Sequence, residues 1–541
     1  MGPRSRMRSI SATIGAIVLA GGVLASCSSS SDSSTSSSSG HVLTVGTFHG
    51  KKGQYTSIQA AVDAAKKGDW ILVAPGDYKE TADLAVTKGS TDNGQFGGVL
   101  IKTPGIHLRG MDRNTTVVDG TKAGSPQCSA NAADQQFGAV QDGKAIGRNG
   151  IVVSKVNDVS IDNLTVCNFL NGTGDGGNEI WWNGDLGTKA IGLTGYEGSY
   201  LTATSTFYNG EDTAAQYGIF SSHAAGPAHW TDIYGSNMND SGMYVGACLQ
   251  LCGITIDKAW MEYSALGYSG TNSGGAIVVK NSRFNDNQDG FDTNTQINGD
   301  PPAPQNGACP GNAISPITHT HSCWVVMDSV FENNNNPNTP KAGNAAAGPT
   351  GTGMTISGGS NDTVMHNTFR NNGAWGVLFV PFPDSSTPSL NQSCSGTGGV
   401  ETAGFGCVYD TINSKLANNT FVNNGTFGNP SNADFGQLAL NANKPSNCFV
   451  GNKAPKGSSP ANLETAYPTC GVNRKAADAP TDLLAQVLCD TGFGSCPAGA
   501  SYPSETGVQL HPLPKTLATM PNPCAGVPDS AWCSGGKVST S

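Results

Sequence analysis

The sequence predicts an all-β parallel solenoid, and three observations carry that reading. Glycines followed by a short apolar strand recur at Gly150, Gly218, Gly242, Gly267, Gly290, Gly353 and Gly376, with steps of about 23–25 residues from Gly218 to Gly290. In phase with them run apolar strands that end in Phe284, Phe331, Phe369 or Phe421 and are followed by asparagine, and Met238, Met261 and Phe284 lie 23 residues apart. Glycine makes up 72 of 541 residues while charged residues are only 13%, a balance that suits many tight turns better than packed helices. A coil of two or three short strands cannot bury its own apolar face. Coils stacked at the strand spacing of about 4.8 Å can, because they share one continuous core.

The chain opens as an export signal. Arg4, Arg6 and Arg8 precede an apolar run over residues 10–24 that is short for a membrane span. "LASC" at Leu24–Cys27 resembles a bacterial lipobox, which makes residues 1–26 a lipoprotein signal and Cys27 the expected lipidated residue. Residues 27–41 form a Ser-rich tether that cannot pack. The expectation is an exported monomer held at the cell envelope only through its N-terminal lipid. Removing residues 1–26 takes three arginines and no acid, which leaves 27 basic against 40 acidic residues and a net charge of −13. That balance argues against a nucleic-acid partner.

The folded part begins with "YTSIQAAVDAAKKGDWILVAPGDYKET". Thr56 or Ser57 is the expected helix N-cap, Ile58, Ala61, Val62 and Ala65 make an apolar stripe, and Gly68 ends the helix. A strand over Ile71–Val73 and a "PGDY" turn follow. Such a helix caps the first coil and shields its open end. The asparagine runs (Asn287, Asn333, Asn334, Asn371, Asn372, Asn423, Asn424) read as turn residues that tolerate left-handed angles and form ladders from coil to coil, in preference to a ligand-binding role. The repeat fades beyond about residue 450. Residues 451–541, rich in Cys and Pro with a short helix at Thr481–Leu488, read as a cap on the solenoid or a wrap over its flank.

Setting Cys27 aside leaves fourteen cysteines of fifteen, an even number that implies disulfides in an exported chain. Cys248 and Cys252 are close enough for a local bridge, and Cys309/Cys323 and Cys394/Cys407 each can close one loop. The pairing of the others stays open. No C-x-x-C pair supports a zinc site.

The phrase "SIQAAVDAAKKGDWILVAPGDYKE", taken with the "NxFxNN" coils, resembles the right-handed parallel β-helix superfamily, the pectin-lyase-like fold, over roughly residues 42–450. The resemblance implies a polysaccharide lying along one outward sheet between long loops. Positions two after the ladder glycines then face outward as Phe220, Tyr244, Ser269 and Asp292. An insertion at Asn171–Lys189 offers Trp181 and Trp182 as substrate-binding aromatics, with packing against the solenoid wall as the alternative. A second insertion, Asn298–Ser322, carries His319 and His321, which read as solvated.

"NQDGFDTN", Asn287–Asn294, holds Asp289 and Asp292. Residues three apart on a strand point to opposite faces, so the two converge only if the chain bends, and Gly290 is the residue expected to permit it. The alternative is a turn closed by Asp289 with Asp292 exposed. "DGFD" is similar to the D-D-G-F-D calcium motif of one class of β-helix pectate lyases, with Gln288 in place of the first Asp. This resemblance implies Asp289 and Asp292 as ligands of Ca²⁺, and a basic residue as proton acceptor, for which Lys280 and Arg283 are the nearest cations. The glycoside hydrolase alternative rests on a loose likeness to the "NTDG" of polygalacturonases, whose "GHG" and "RIK" are absent. The expected function is binding or processing of an extracellular or envelope polysaccharide, as a calcium-assisted lyase of an acidic polymer if catalytic. The rival is a non-catalytic surface protein that uses the same face for adhesion.

Overall fold

The computed structural model describes residues 40–85, 96–174, 176–188, 190–248, 251–295, 304–384, 394–396, 399–402, 406–440, 446–470, 481–490 and 494–539. The export signal, Cys27 and nearly all of the tether lie outside these residues.

Two long parallel ladders form the body, one of twenty strands and one of eleven. The larger ladder is two faces joined at a corner. Val159–Cys167 and Leu193–Thr204 cross that corner as single bent strands, turning at Asn163 (φ 58°) and Tyr200 (φ 51°). In later coils the corner separates two strands, as at Asn281 (φ 50°) between Gly275–Lys280 and Arg283–Asn285. Each coil therefore lays one strand on each of three faces, and the chain is the right-handed parallel β-helix its repeat predicts.

Columns of like residues fill the interior. Phe284, Phe331, Phe369 and Phe421 stack with centroid separations of 4.9, 4.8 and 5.2 Å. The asparagines beside them are a hydrogen-bonded ladder. Asn287 Nδ2 donates to Asn334 Oδ1 (3.1 Å), Asn334 Nδ2 to Asn372 Oδ1 (3.2 Å), and Asn372 Nδ2 to Asn424 Oδ1 (3.1 Å). All four are buried, and their amides also bond the backbone carbonyls of Met261, Phe284, Phe331 and Phe369. Their neighbours Asn333, Asn371 and Asn423 take the left-handed turn angles.

The first coil is closed by helix α1 (Ile58–Ala64), whose N-cap Ser57 accepts from Ala60 N. Glu80 adds a second cap: its carboxylate accepts from Ile58 N and Gln59 N. Ile58, Ala61, Val62 and Ala65 are buried as the stripe requires. The helix stops at Ala64, short of Gly68, and "GDY" is a strand instead of a turn because it pairs with Thr116–Val118. The ladder also runs past residue 450, since Ser458 and Ser459 pair with Phe435 and Gly436. Helix α2 (Leu463–Ala466) then packs Leu463 into the core.

The C-terminal segment follows as a strap. Helix α3 (Thr481–Asp490) sets Leu483 among Trp375, Leu378 and Ala433 on the outside of the eleven-stranded ladder. The chain then returns to the first coil, held by corner asparagines. Asn338 Oδ1 accepts from Thr506 N, Asn237 exchanges two hydrogen bonds with the His511 backbone, Asn114 does the same with Leu517, and Asn163 accepts from Met520 N. At the end Trp532, Cys524 and Cys533 pack with Phe48 and Leu72 of the opening coils. All fourteen cysteines of the described body are paired: Cys248–Cys252, Cys309–Cys323 and Cys394–Cys407 as expected, with Cys128–Cys167, Cys448–Cys470, Cys489–Cys496 and Cys524–Cys533.

Candidate functional site

Strand register puts one continuous row on the outer side of the eleven-stranded ladder. Val152, Trp181, Phe220, Tyr244, Ser269, Asp292, Thr355 and Leu378 are successive partners. Trp181 and Phe220 stack 5.2 Å apart with ring planes 9° from parallel, and Tyr244 meets Phe220 edge-on at 4.8 Å. Tyr217 joins them, 4.6 Å from Phe220 and 5.1 Å from Tyr244. Other segments frame the row. Helix α3 covers its Leu378 end, and Gln288 Nε2 ties the edge beside Asp289 to the Ala346 and Gly348 carbonyls.

Trp182 must be removed from the substrate-binding set. "NEIWWN" is no loop insertion; Asn178–Asn183 is a strand of the ladder. Adjacent strand residues face opposite ways, so Trp181 points outward while Trp182 lies in the core, fully buried between Tyr196 and Trp230 with Nε1 donating to Val159 O.

Asp289 and Asp292 do converge. Thr355 Oγ1 lies 3.0 Å from Asp289 Oδ2 and 2.6 Å from Asp292 Oδ1. Gly290 does not supply the predicted bend by a left-handed angle. It is glycine because a Cβ there would stand 2.4 Å from Gly353 O and 2.7 Å from Asn334 Nδ2, inside the asparagine ladder. Nor is Asp292 exposed: it is buried at 8% exposure, and Asp289 at 0%. The stretch is a strand, Asp289–Asn294.

Proton bookkeeping assigns the pair. A hydroxyl owns one proton, so Thr355 cannot donate to both acids. Burial first, and the Asp292 charge second, hold the Asp289 carboxyl well above the usual carboxylate range. Asp289 is therefore the protonated partner and donates to Thr355 Oγ1, which donates to Asp292 Oδ1 over the short distance expected of a charge-assisted bond. Ser357 Oγ (2.7 Å) and Asn294 Nδ2 (3.0 Å) also donate to Asp292. These three bonds oppose the burial that raises Asp292.

A third acid, unforeseen from the sequence, belongs to the same face. Asp240 precedes the strand Ser241–Gly246 and accepts from Tyr217 Oη at 3.1 Å. Burial pushes it up to about 7, and the Asp292 charge adds to the rise. Its position at a turn outside the ladder pattern left no signal in the sequence.

The expected calcium set does not fit. Calcium takes six to eight oxygens with free lone pairs. Here Asp292 already accepts from three neutral donors, Asp289 is enclosed with one oxygen on Phe291 N and the other on Thr355 Oγ1, and Gln288 points to backbone carbonyls. Among the described residues three metal-ligating groups meet only at Asp119, Cys128 and Cys167, and those cysteines form a disulfide. Lys280 and Arg283 are not brought to the pair either. They stand on the twenty-stranded ladder, Lys280 3.9 Å from Asp257 and Arg283 bonded to Glu332 at 2.8 Å above the Trp260 ring. His319 and His321 are exposed in their loop, with His321 Nδ1 3.0 Å from Ala313 O. A separate cavity of about 290 Å³ opens on the twenty-stranded ladder beside His107, Ser160, Glu197 and His229.

No protein-family model and no curated protein sequence matches the chain. Solved structures do. The A-module of a mannuronan C-5 epimerase from Azotobacter vinelandii shares 14% identity, with 73% of this chain and 90% of that chain covered at a TM-score of 0.39. A pectate lyase shares 14% identity over 87% of this chain and 92% of that chain at 0.36. An alginate lyase from a Paenibacillus species shares 13% identity over 75% and 93%, at 0.35. At these identities and scores the likeness concerns the fold alone.

Proposed function

We propose that the outer face of the eleven-stranded ladder binds a polysaccharide and cleaves its glycosidic bonds by acid–base chemistry. The carrying observation is the registered row that leads from Trp181, Phe220 and Tyr244 to Asp292, with Asp240 beside it. Aromatic faces suit sugar C–H surfaces, and carboxylates suit hydroxyls. Glycoside hydrolysis needs one protonated and one ionised carboxyl. Asp240, raised to about 7, suits the acid, and Asp292, backed by protonated Asp289, suits the ionised partner. Lyase chemistry is supported less, because it needs a base and a cation beside the substrate carboxylate, and among the described residues no Lys or Arg acts on these acids.

The test is incubation with a glycan panel, read for new reducing ends and for ultraviolet absorbance. Hydrolysis gives reducing ends without absorbance, whereas a lyase gives both. Asp292→Asn should lower kcat by about 10²–10⁴-fold. The wild-type rate should fall as pH rises through about 7, as the Asp240 proton is lost. The low exposure of Asp289 and Asp292 favours a second reading, a non-catalytic sugar-binding face, for which glycans bind and no ends appear. Export and lipidation at Cys27 are part of the proposal; seven disulfides suit an oxidising compartment. Cys27→Ser should move the protein from the membrane to the soluble fraction.

A further inference from the structure

We infer that this face takes a polysaccharide free of carboxylate and sulfate groups, an inference that rests on the polysaccharide reading above. The eleven strands of the ladder contain no Lys, Arg or His, yet they set Asp289 and Asp292 on this face, while the other two acids of the ladder, Glu179 and Asp434, turn inward to Phe169 N and Asn424 Nδ2. The framing elements deepen that sign. Helix α3 has no basic residue in its last turn and ends at Asp490, which accepts from Thr350 N and whose charge reaches Asp289. A helix C-terminus is itself a centre of partial negative charge. The cation that acts on Asp490 is Lys341, whose Nζ lies 3.5 Å from Glu505.

A polymer with a carboxylate or sulfate on each ring would set a like charge against Asp292, and against Asp240 once pH rises through about 7, with no counter-charge on the ladder strands. An uncharged sugar meets the same groups as a hydrogen-bond donor. Its hydroxyls can donate to Asp292 and Asp240, and to Asn294 Oδ1, which is buried without a partner among the described residues. Its C–H faces meet Trp181 and Tyr244. The acidic substrate expected from the sequence is thereby replaced by its neutral counterpart.

The experiment presents the full chain with uronate and sulfated polymers, each beside its own carboxyl-reduced or desulfated form, together with neutral glycans, in affinity electrophoresis. At 0.1 M salt the neutral form of at least one pair, or a neutral glycan, should bind about tenfold or more tighter than its charged counterparts. That gap should narrow at 1 M, where the screening length falls from about 10 Å to about 3 Å. A charged polymer that binds as tightly as its neutral form at 0.1 M, or that weakens as salt rises, overturns the inference and leaves the polysaccharide reading standing. Binding to no polymer of either kind overturns both.

Discussion

Asn334→Ala is expected to destabilise the protein by at least about 3 kcal/mol, more than its volume alone accounts for. The side chain is fully buried and makes four hydrogen bonds to three residues. Its Oδ1 accepts from Asn287 Nδ2 and Asn287 N; its Nδ2 donates to Asn372 Oδ1 and to Phe284 O. Alanine leaves those groups in a dry interior, and each buried polar group left unpaired costs about 1–3 kcal/mol. Asn372 keeps its own bonds to Asn424 and Phe331 O, so the ladder is cut at one rung and the rest survives. Asn334→Asp discriminates the mechanism. It keeps the acceptor, loses the donor and buries a charge, so it should be at least as harmful as alanine at neutral pH and recover in acid. Denaturant unfolding of the three proteins measures this. A loss near 1 kcal/mol for alanine would show that water replaces the amide and that the ladder is ornamental to stability. The neighbouring Asn333, at a left-handed turn angle and half-exposed, provides the contrast: there alanine should cost less.

The same column explains how much of the molecule its sequence shows. Each coil needs a glycine where backbones stack closely, an inward apolar residue after it, and an asparagine at the corner. Those needs repeat in space at the strand spacing, so they repeat in sequence at the coil length. The parity they impose is strict: one after the glycine points into the core (Ile219, Met243, Tyr268, Phe291), and two after points to the outer side of the ladder, where Phe220, Ser269 and Asp292 are nonetheless buried. That rule placed Phe220, Tyr244, Ser269 and Asp292 in one row. It failed at Trp181 and Trp182 because Glu179, not glycine, stands at the ladder position between Asn178 and Ile180, and a strand without its marker looks like an insertion. It was silent on Asp240, and it put Thr355 in the row through Gly353 without showing, any more than the predicted helix at Thr481–Leu488 did, what these groups touch. Their relation to Asp292 arises across coils or from the strap, and no local spacing encodes either. The meaning of Gly290 was hidden for a related reason. A sequence shows that a Cβ is absent but not whether angle or space forbids it.

Stability should fall as pH rises from about 4 to about 7, by several kcal/mol, because the fold holds buried acids in their protonated form. Asp240 and Asp490 are each pushed up to about 7 by burial, from 3.8 for a free side chain. Between those values the unfolded chain has released both protons and the folded chain keeps them. The folded state thus binds more protons, and stability declines with pH by about 1.4 kcal/mol per unit for each group. The contribution is complete below the unfolded value and is lost as pH rises through about 7. Glu332 works the other way. Burial raises it, but hydrogen bonds from Arg370 and Arg283 outweigh that and hold it below its usual value, so its contribution is lost as acid protonates it. The stability maximum is therefore expected near pH 4–5, acid of neutrality. Thermal unfolding across pH 3–9 measures the slope. Asp490→Asn should flatten it by about one group's share and raise Tm at pH 8, since the amide oxygen can still accept from Thr350 N without carrying a charge beside Asp289. A slope unchanged in Asp490→Asn would mean that Asp490 is solvated and ionised in the folded protein. The negative end of helix α3 would then already sit in water, and the strap would cover less of the acidic face than its contacts with Trp375 and Leu378 imply.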